Sequence, residues 1–137
     1  MRKPRAAFAA AFVVAVLVGT FAIQAQNAPQ APTVKRNILL KQDMKTPGYE
    51  AVMASVELPP GSAEGKHTHP AEVYVFVQEG TILLELAGKP DATLKAGDIF
   101  YVAPGQVHQA INKGNVTAKL AVVFVAEKGK PLTTKAE

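Results

Sequence analysis

The chain contains no cysteine among its 137 residues. It can therefore form neither disulfide bonds nor thiolate metal ligands, although the compartments outside the cytoplasm would permit disulfides. The stability of the fold must then come from a hydrophobic core. The roughly 110 residues that follow the N-terminal segment are enough for one small domain and too few for two.

The sequence also lacks a cluster of basic residues interleaved with aromatic ones. The formal net charge is +4, but three of the fifteen basic side chains, Arg2, Lys3 and Arg5, lie in the first five residues. Without them, 12 basic side chains stand against 11 acidic ones, and the remaining lysines are scattered along the chain as ordinary solvated charges. We therefore predict no nucleic-acid partner.

Residues 1–25 have the order of a secretory signal peptide. A basic start is followed by an apolar stretch from Ala6 to Ile23 and by small residues around Ala25, which predicts cleavage near Ala25 and a periplasmic or secreted protein. The apolar stretch is also long enough for an uncleaved membrane anchor, and only in that case do we expect contact with a membrane. Residues 26–34, rich in proline and alanine, are predicted to be a spacer.

From residue 35 onward, short segments rich in β-branched, aliphatic and aromatic residues alternate with turn signals. The turn signals include TPG, PPGSAEG, GKPD, AGD, PG and NKGN. Strands at this spacing, with no convincing amphipathic helix among them, predict an all-β antiparallel barrel or sandwich. We expect this domain to cover residues 35–130 and residues 131–137 to form a flexible tail.

The segment EVYVFVQ is apolar on both faces of the predicted strand. Val73, Val75 and Val77 fall on one face, and Tyr74 and Phe76 fall on the other. The core covers one face, so a partner subunit or another part of the same chain must cover the other. The first alternative predicts a homodimer, and the second places the two aromatic side chains beneath a neighbouring strand or loop.

All three histidines of the chain lie in two short segments. His67 and His69 are one residue apart, so on an extended strand their side chains share a face at a spacing of about 7 Å. His108 follows Pro104-Gly105, a pair suited to the central positions of a type II turn. Strand pairing can bring His108 opposite the other two, and three neutral imidazoles around one point suit Zn, Cu, Fe or Ni. The alternative is that the histidines are ordinary hydrogen-bonded residues at strand ends.

These segments resemble the two motifs of the cupin superfamily, whose fold is a small jelly-roll β-barrel. The motifs are G-x5-H-x-H-x3,4-E-x6-G and G-x5-P-x-G-x2-H-x3-N, and the residues at matching spacings are Gly61, His67, His69, Gly80, Gly97, Gly105, His108 and Asn112. The resemblance extends over about residues 36–127. It implies a small single-domain jelly roll in which His67, His69 and His108 are ligands of one divalent transition metal ion.

The sequence departs from these motifs at two positions. Ala103 stands where the second motif has proline, and Pro104 follows it, which concerns mainly the shape of the turn. Val73 stands where the first motif has its glutamate ligand, and Glu72 comes one residue earlier. On a regular strand that shift turns Glu72 to the opposite face and leaves a three-histidine site. A bulge beginning at Pro70 would instead turn Glu72 inward, so Glu72 is a candidate fourth ligand.

Two classes of function fit these residues. In the first, the protein is an enzyme whose three neutral imidazoles leave the +2 charge of the metal uncancelled, which favours a small anionic or enolic substrate. The resemblance to cupin dioxygenases with three-histidine iron sites makes dioxygenase-like oxidation the most specific form of this hypothesis. In the second, the protein binds a metal or a small ligand without turnover, because the fold alone does not decide the chemistry.

Overall fold

A computed structural model describes residues 30–137 of the chain, and these residues form ten β-strands. The predicted signal peptide and the first residues of the predicted spacer lie outside this range. The strands are β1 (Lys35–Asp43), β2 (Tyr49–Leu58), β3 (His67–Thr68), β4 (Ala71–Glu79), β5 (Thr81–Leu86), β6 (Ala92–Lys95), β7 (Ile99–Val102), β8 (His108–Ile111), β9 (Ala118–Glu127) and β10 (Thr134–Lys135).

The strands form two five-stranded antiparallel sheets. The first sheet has the order β1-β2-β9-β4-β7, and the second has the order β10-β3-β8-β5-β6. The prediction of an all-β antiparallel jelly roll is confirmed. Residues 30–137 contain no helix with the length and apolar character needed to cross a membrane.

The hydrophobic core lies between the two sheets. Residues of β9 alternate between buried and half-buried positions, and most of β4 alternates between buried and exposed ones, as expected for strands with one face on a core. Val52, Leu58, Val77, Ile82 and Val102 are at most 1% exposed. The core is thus built from the apolar alternation visible in the sequence.

A tight turn ahead of β8 sets the direction in which that strand returns. Gly105 has a φ of +74°, and the N–H of Gln106 donates to the carbonyl of Ala103 at 3.1 Å. Pro104 and Gly105 therefore occupy the two central positions of a turn that needs a positive φ at the second one, as in type II. The displaced proline of the motif still serves the turn.

Gly80 joins β4 to β5 where two backbone segments approach closely. Its φ is +75°, and a Cβ atom at this position would lie 2.8 Å from the Cα atom of Ala118 on β9. Both the dihedral angle and the lack of space require glycine.

The C-terminal residues belong to the second sheet. Thr134 pairs with Thr68 and Lys135 with His67, which makes β10 the edge strand beside β3. The N–H of Ala136 also donates to the carbonyl of Lys66 at 3.0 Å. Residues 134–136 are therefore joined by backbone hydrogen bonds to β3 and to the residue before it.

The outer face of the first sheet carries several exposed apolar side chains. Tyr74 and Phe76 of β4 are 48% and 44% exposed, and Ile99 and Tyr101 of β7 are 75% and 41% exposed. The rings of Tyr74 and Tyr101 lie beside each other with centroids 5.3 Å apart. Within residues 30–137, no strand or loop covers this face.

Candidate metal centre

Two strands of the second sheet bring the three histidines together. His67 begins β3 and His108 begins β8, and the two residues are directly opposite each other in the antiparallel pairing. His69 follows β3, and its carbonyl accepts the N–H of Gly105 at 2.9 Å, which ties the turn before β8 to this segment. One nitrogen from each ring lies within 4.8 Å of the others, and all three residues are buried.

Each imidazole is oriented by a hydrogen bond from its Nδ1 atom to a backbone carbonyl. The acceptors are Gly65 for His67 at 2.7 Å, Leu132 for His69 at 2.7 Å, and Gln106 for His108 at 3.0 Å. Because a carbonyl oxygen can only accept, each Nδ1 must carry the proton. In the neutral ring the Nε2 atom then holds a free lone pair, so all three rings offer Nε2 to a metal ion.

Burial favours the neutral form of His69 and His108. Desolvation is the largest cause that lowers the pKa of His69 from 6.5 to about 4, and the hydrogen bond to the Leu132 carbonyl opposes it. The charges of His67, His108 and Arg36 lower the pKa of His69 further. Burial is also the main cause that lowers the pKa of His108. Since metal ligation needs neutral imidazole, the donor set fits a divalent transition metal.

Glu72 lies on the other side of its strand from the histidines. Residues Ala71 to Val77 of β4 pair with β9 without a break in register, and the irregularity of this strand lies beyond Val77. Val73 therefore faces the interior at 1% exposure, whereas Glu72 is exposed and its carboxylate accepts a hydrogen bond from the Tyr74 hydroxyl at 3.1 Å. The structure shows the regular-strand alternative and does not bring Glu72 to the cluster.

Comparison with known protein families agrees with this fold and this set of histidines. The cupin domain family matches residues 54–124, which include all three histidines. The chain belongs to the cupin family.

Two known proteins resemble the chain over part of their length. The oxalate-binding protein of Thermotoga maritima is 34% identical over 77 residues, which cover 54% of this chain and 61% of that protein. The tetracenomycin polyketide synthase protein TcmJ of Streptomyces glaucescens is 33% identical over 73 residues, which cover 53% of this chain and 47% of that protein. These matches span less than two thirds of either relative.

A solved structure extends the similarity to most of the described fold. It is a conserved protein with a double-stranded β-helix domain from Klebsiella pneumoniae, with a TM-score of 0.65 and 25% sequence identity. The alignment covers 80% of this chain and 90% of that one. The architecture of the two sheets is therefore that of the cupin fold.

The histidines of this cupin line a cavity of about 110 Å³ between the two sheets. The ring of Phe124 meets the ring of His69 edge-on, with centroids 5.1 Å apart. Most of the other lining side chains are aliphatic, and the polar ones besides the histidines are Arg36, Glu64 and Thr133. A metal ion here would lie in a largely apolar, low-dielectric setting.

Arg36 and Glu64 also line the cavity, although no motif in the sequence indicated them. Arg36 lies on β1, opposite Val56 of β2, and Glu64 lies in the loop before β3. A charged residue in a predicted turn or on an edge strand is ordinarily solvated, so no local pattern distinguished these two residues. Only the approach of β1 to the loop before β3 brings them together at the cavity of this cupin.

Asn112, the last residue of the second motif, has a structural role. It is fully buried, and its amide nitrogen donates to the carbonyls of Leu58 and Val116 at 2.7 Å each. Its amide oxygen accepts the N–H of Gly114 at 2.9 Å. These bonds fix the end of β2 and the turn between β8 and β9, away from the histidine nitrogens.

Proposed function

We propose that this cupin holds one divalent transition metal ion through the Nε2 atoms of His67, His69 and His108, and that this site binds a small anionic ligand. The observation that carries the proposal is the set of three Nδ1–H bonds to backbone carbonyls. These bonds direct the protons away from the cluster and leave three neutral donors within 4.8 Å of one another. Iron, copper, nickel and zinc all suit such a donor set.

The charge of the site favours an anion as the ligand. Three neutral imidazoles leave the +2 charge of the ion uncancelled, and the apolar walls provide little screening. The cavity of about 110 Å³ is below the range of roughly 300–1,000 Å³ that takes drug-sized ligands. The naming of the Thermotoga maritima relative as an oxalate-binding protein supports a small carboxylate in this site.

Dioxygenase-like oxidation of a small enolic or anionic substrate is the enzymatic form of this proposal. The bound ion would supply Lewis-acid polarisation of the substrate oxygens and a site for redox chemistry. The residues of the chain would orient the substrate and keep bulk water out through the apolar walls around Phe124 and Val73. Oxygen consumption by iron-loaded protein with enolic and catecholic compounds tests this form.

Binding without turnover is the second candidate, and the similarity to the oxalate-binding protein of Thermotoga maritima favours it. Under this candidate the metal-loaded protein would bind small carboxylates reversibly and leave them unchanged. Recovery of the ligand intact after prolonged incubation with iron-loaded protein in air, together with no oxygen uptake, would favour binding over oxidation.

Metal analysis of purified protein tests the common part of both candidates. We expect about one equivalent of metal per chain, and His67→Ala, His69→Ala and His108→Ala should each lower occupancy sharply. Thr68→Ala is the matched control, since Thr68 lies between two of the histidines and is not a member of the cluster. Full occupancy in all three histidine variants would place the metal elsewhere and refute the proposal.

We also propose that the protein is a homodimer, with a second copy of the chain against the exposed apolar face of the first sheet. The side chains that line its central groove include Met53, Tyr74, Phe76, Ile99 and Tyr101, and none of the lining residues is charged. An uncharged apolar face suits association with an identical face, since no charge complementarity is needed.

Sedimentation of the native protein should give a dimer, and sedimentation of Phe76→Glu should give a monomer. A native protein that stays monomeric at high micromolar concentration would contradict the proposal.

Export of the protein is a further proposal, supported by the order of basic, apolar and small residues at the N-terminus. We expect the chain recovered from cells to begin near Gln26 and to lie outside the cytoplasm. Intact-mass measurement of the cell-derived protein checks this. An uncleaved chain in the membrane fraction would support the anchored alternative.

A further inference from the structure

An ion pair links β1 of the first sheet to the loop before β3, and both of its members line the cavity of the histidine cluster. Arg36 of β1 donates from its Nη2 atom to the Oε1 atom of Glu64 at 3.2 Å. Both residues line the cavity that contains the three histidines. The pair therefore lies on the cavity wall, with one member contributed by each side of the sandwich.

Glu64 is held firmly on its side of the cavity. Its side chain is only 10% exposed, and its Oε2 atom accepts the N–H of Ala110 on β8 at 3.3 Å. Its own N–H donates to the carbonyl of Ala110 at 3.0 Å. Glu64 is thus fixed to the strand that begins with His108, and it can orient Arg36 relative to that histidine.

Arg36 keeps donors available for a ligand. A guanidinium group has five N–H donors, and among residues 30–137 the hydrogen bond to Glu64 is the one that its side chain makes. The side chain of Arg36 is 47% exposed, and its charge is near enough to lower the pKa of His69. The planar guanidinium matches the geometry of a carboxylate better than any other side chain does.

The charges of the cavity favour a ligand with two negative charges. Arg36 and Glu64 cancel each other, and imidazoles that ligate a metal ion are neutral, so the ion of the proposed metal site leaves a charge of +2. Charges in a setting with few polar groups are stable only when they are compensated. A dianion compensates this charge completely, and a monoanion leaves half of it.

We propose that Arg36 is a second anchor for the ligand, so that the natural ligand is a small dicarboxylate with one acidic group at the histidine site and the other at the guanidinium. Glu64 is the positioning residue that holds Arg36 in place. This proposal rests on the proposed metal function of the histidines and adds the class of ligand. It assigns a binding role to a residue outside both sequence motifs.

Cobalt-loaded full-length mature protein provides the test, because the visible absorption of Co²⁺ reports on ligands that enter its coordination sphere. The two probes are malonate, which has a second carboxylate for Arg36, and azide, a monoanion that binds a metal through one end. Arg36→Gln should weaken malonate binding by about tenfold or more, while azide affinity changes less than about threefold. Arg36→Lys should give a smaller loss of malonate affinity, because lysine keeps the positive charge but lacks the planar pair of N–H donors that can bind both oxygens of a carboxylate.

Lys41→Gln is the matched control. Lys41 also lies on β1 and pairs with a glutamate, Glu50, at 3.1 Å, but it does not line the cavity. This variant loses the same charge from the same strand and should bind malonate as the native protein does.

The cobalt content of each protein separates failure of this proposal from failure of the metal site. Native protein that takes up no cobalt would refute the proposed function, and the ligand proposal with it. Loaded Arg36→Gln with unchanged malonate affinity would overturn the role of Arg36 alone. Equal weakening of malonate and azide would also overturn it, since that result indicates a general effect of charge.

Discussion

The metal-free protein should lose stability as the pH falls from 7 to 5, before most carboxylates titrate. Burial lowers the pKa of His69 from 6.5 to about 4, so the unfolded chain binds a proton near pH 6.5 that the folded chain accepts only near pH 4. At intermediate pH the unfolded state holds more protons, and protonation therefore favours unfolding. The stability is complete above about pH 6.5 and declines as the pH falls toward 4.

The size of the effect follows from the two pKa values of His69. A difference of 2.5 units between 6.5 and about 4 corresponds to about 3 kcal/mol over the whole range, at roughly 1.36 kcal/mol per unit. Between pH 7 and pH 5 the expected loss is about 2 kcal/mol. The lowered pKa of His108 acts in the same direction. A loss of this size is a large part of the stability of a small domain.

Urea unfolding followed by circular dichroism, in the presence of a chelator, measures this loss. The free energy of unfolding is determined at pH 7, 6 and 5 for the native protein and for His69→Gln, which has no titrating group at that position. The native protein should show a loss about 2 kcal/mol larger than the variant. Equal losses in the two proteins would refute the reasoning, since the dependence on pH would then come from other groups.

Three further predictions concern residues near the site and in the turns. Glu72→Gln should leave metal affinity within about twofold, whereas Val73→Glu should raise affinity for divalent metals and weaken azide binding, because it adds a negative charge to the cavity wall. A loss of tenfold or more in Glu72→Gln would indicate the bulged strand instead. Gly80→Ala should cost about 2 kcal/mol or more in urea unfolding, because a positive φ and contact with Ala118 both oppose a Cβ atom. Asn112→Ala should cost about 3 kcal/mol by leaving buried backbone groups without partners, and metal content per folded chain should stay unchanged.

The all-β antiparallel fold was predictable because it depends on local patterns, and the resemblance of two segments to the cupin motifs implied that the three histidines form one cluster. Period-two alternation marked β4 and β9, and Pro104-Gly105 marked the turn that aligns His108 with His67. Strand parity alone indicated that Glu72 points away from the two odd-numbered histidines. What parity could not decide was whether a bulge at Pro70 interrupts the strand, since a bulge depends on how the neighbouring strand pairs.

The remaining features depend on contacts between distant segments. Thr134 and Lys135 have no strand pattern of their own, and they pair with β3, whose edge offers unpaired backbone groups. Arg36 and Glu64 are 28 residues apart in the chain. They pair because the fold brings β1 close to the loop before β3. Neither feature has a signal in a short window of sequence.

Because His69 donates a hydrogen bond to the carbonyl of Leu132, residues near the C-terminus help to orient a histidine of the candidate metal site. An engineer who shortens the chain after residue 130 would remove the acceptor that sets the tautomer of His69, together with the strand that covers the edge of β3. A purification tag fused directly to Glu137 would be separated by one residue from Ala136, whose N–H donates to the carbonyl of Lys66 just before β3. Tags are better placed ahead of the domain, where Gln30 to Thr33 precede the first strand and have exposed side chains.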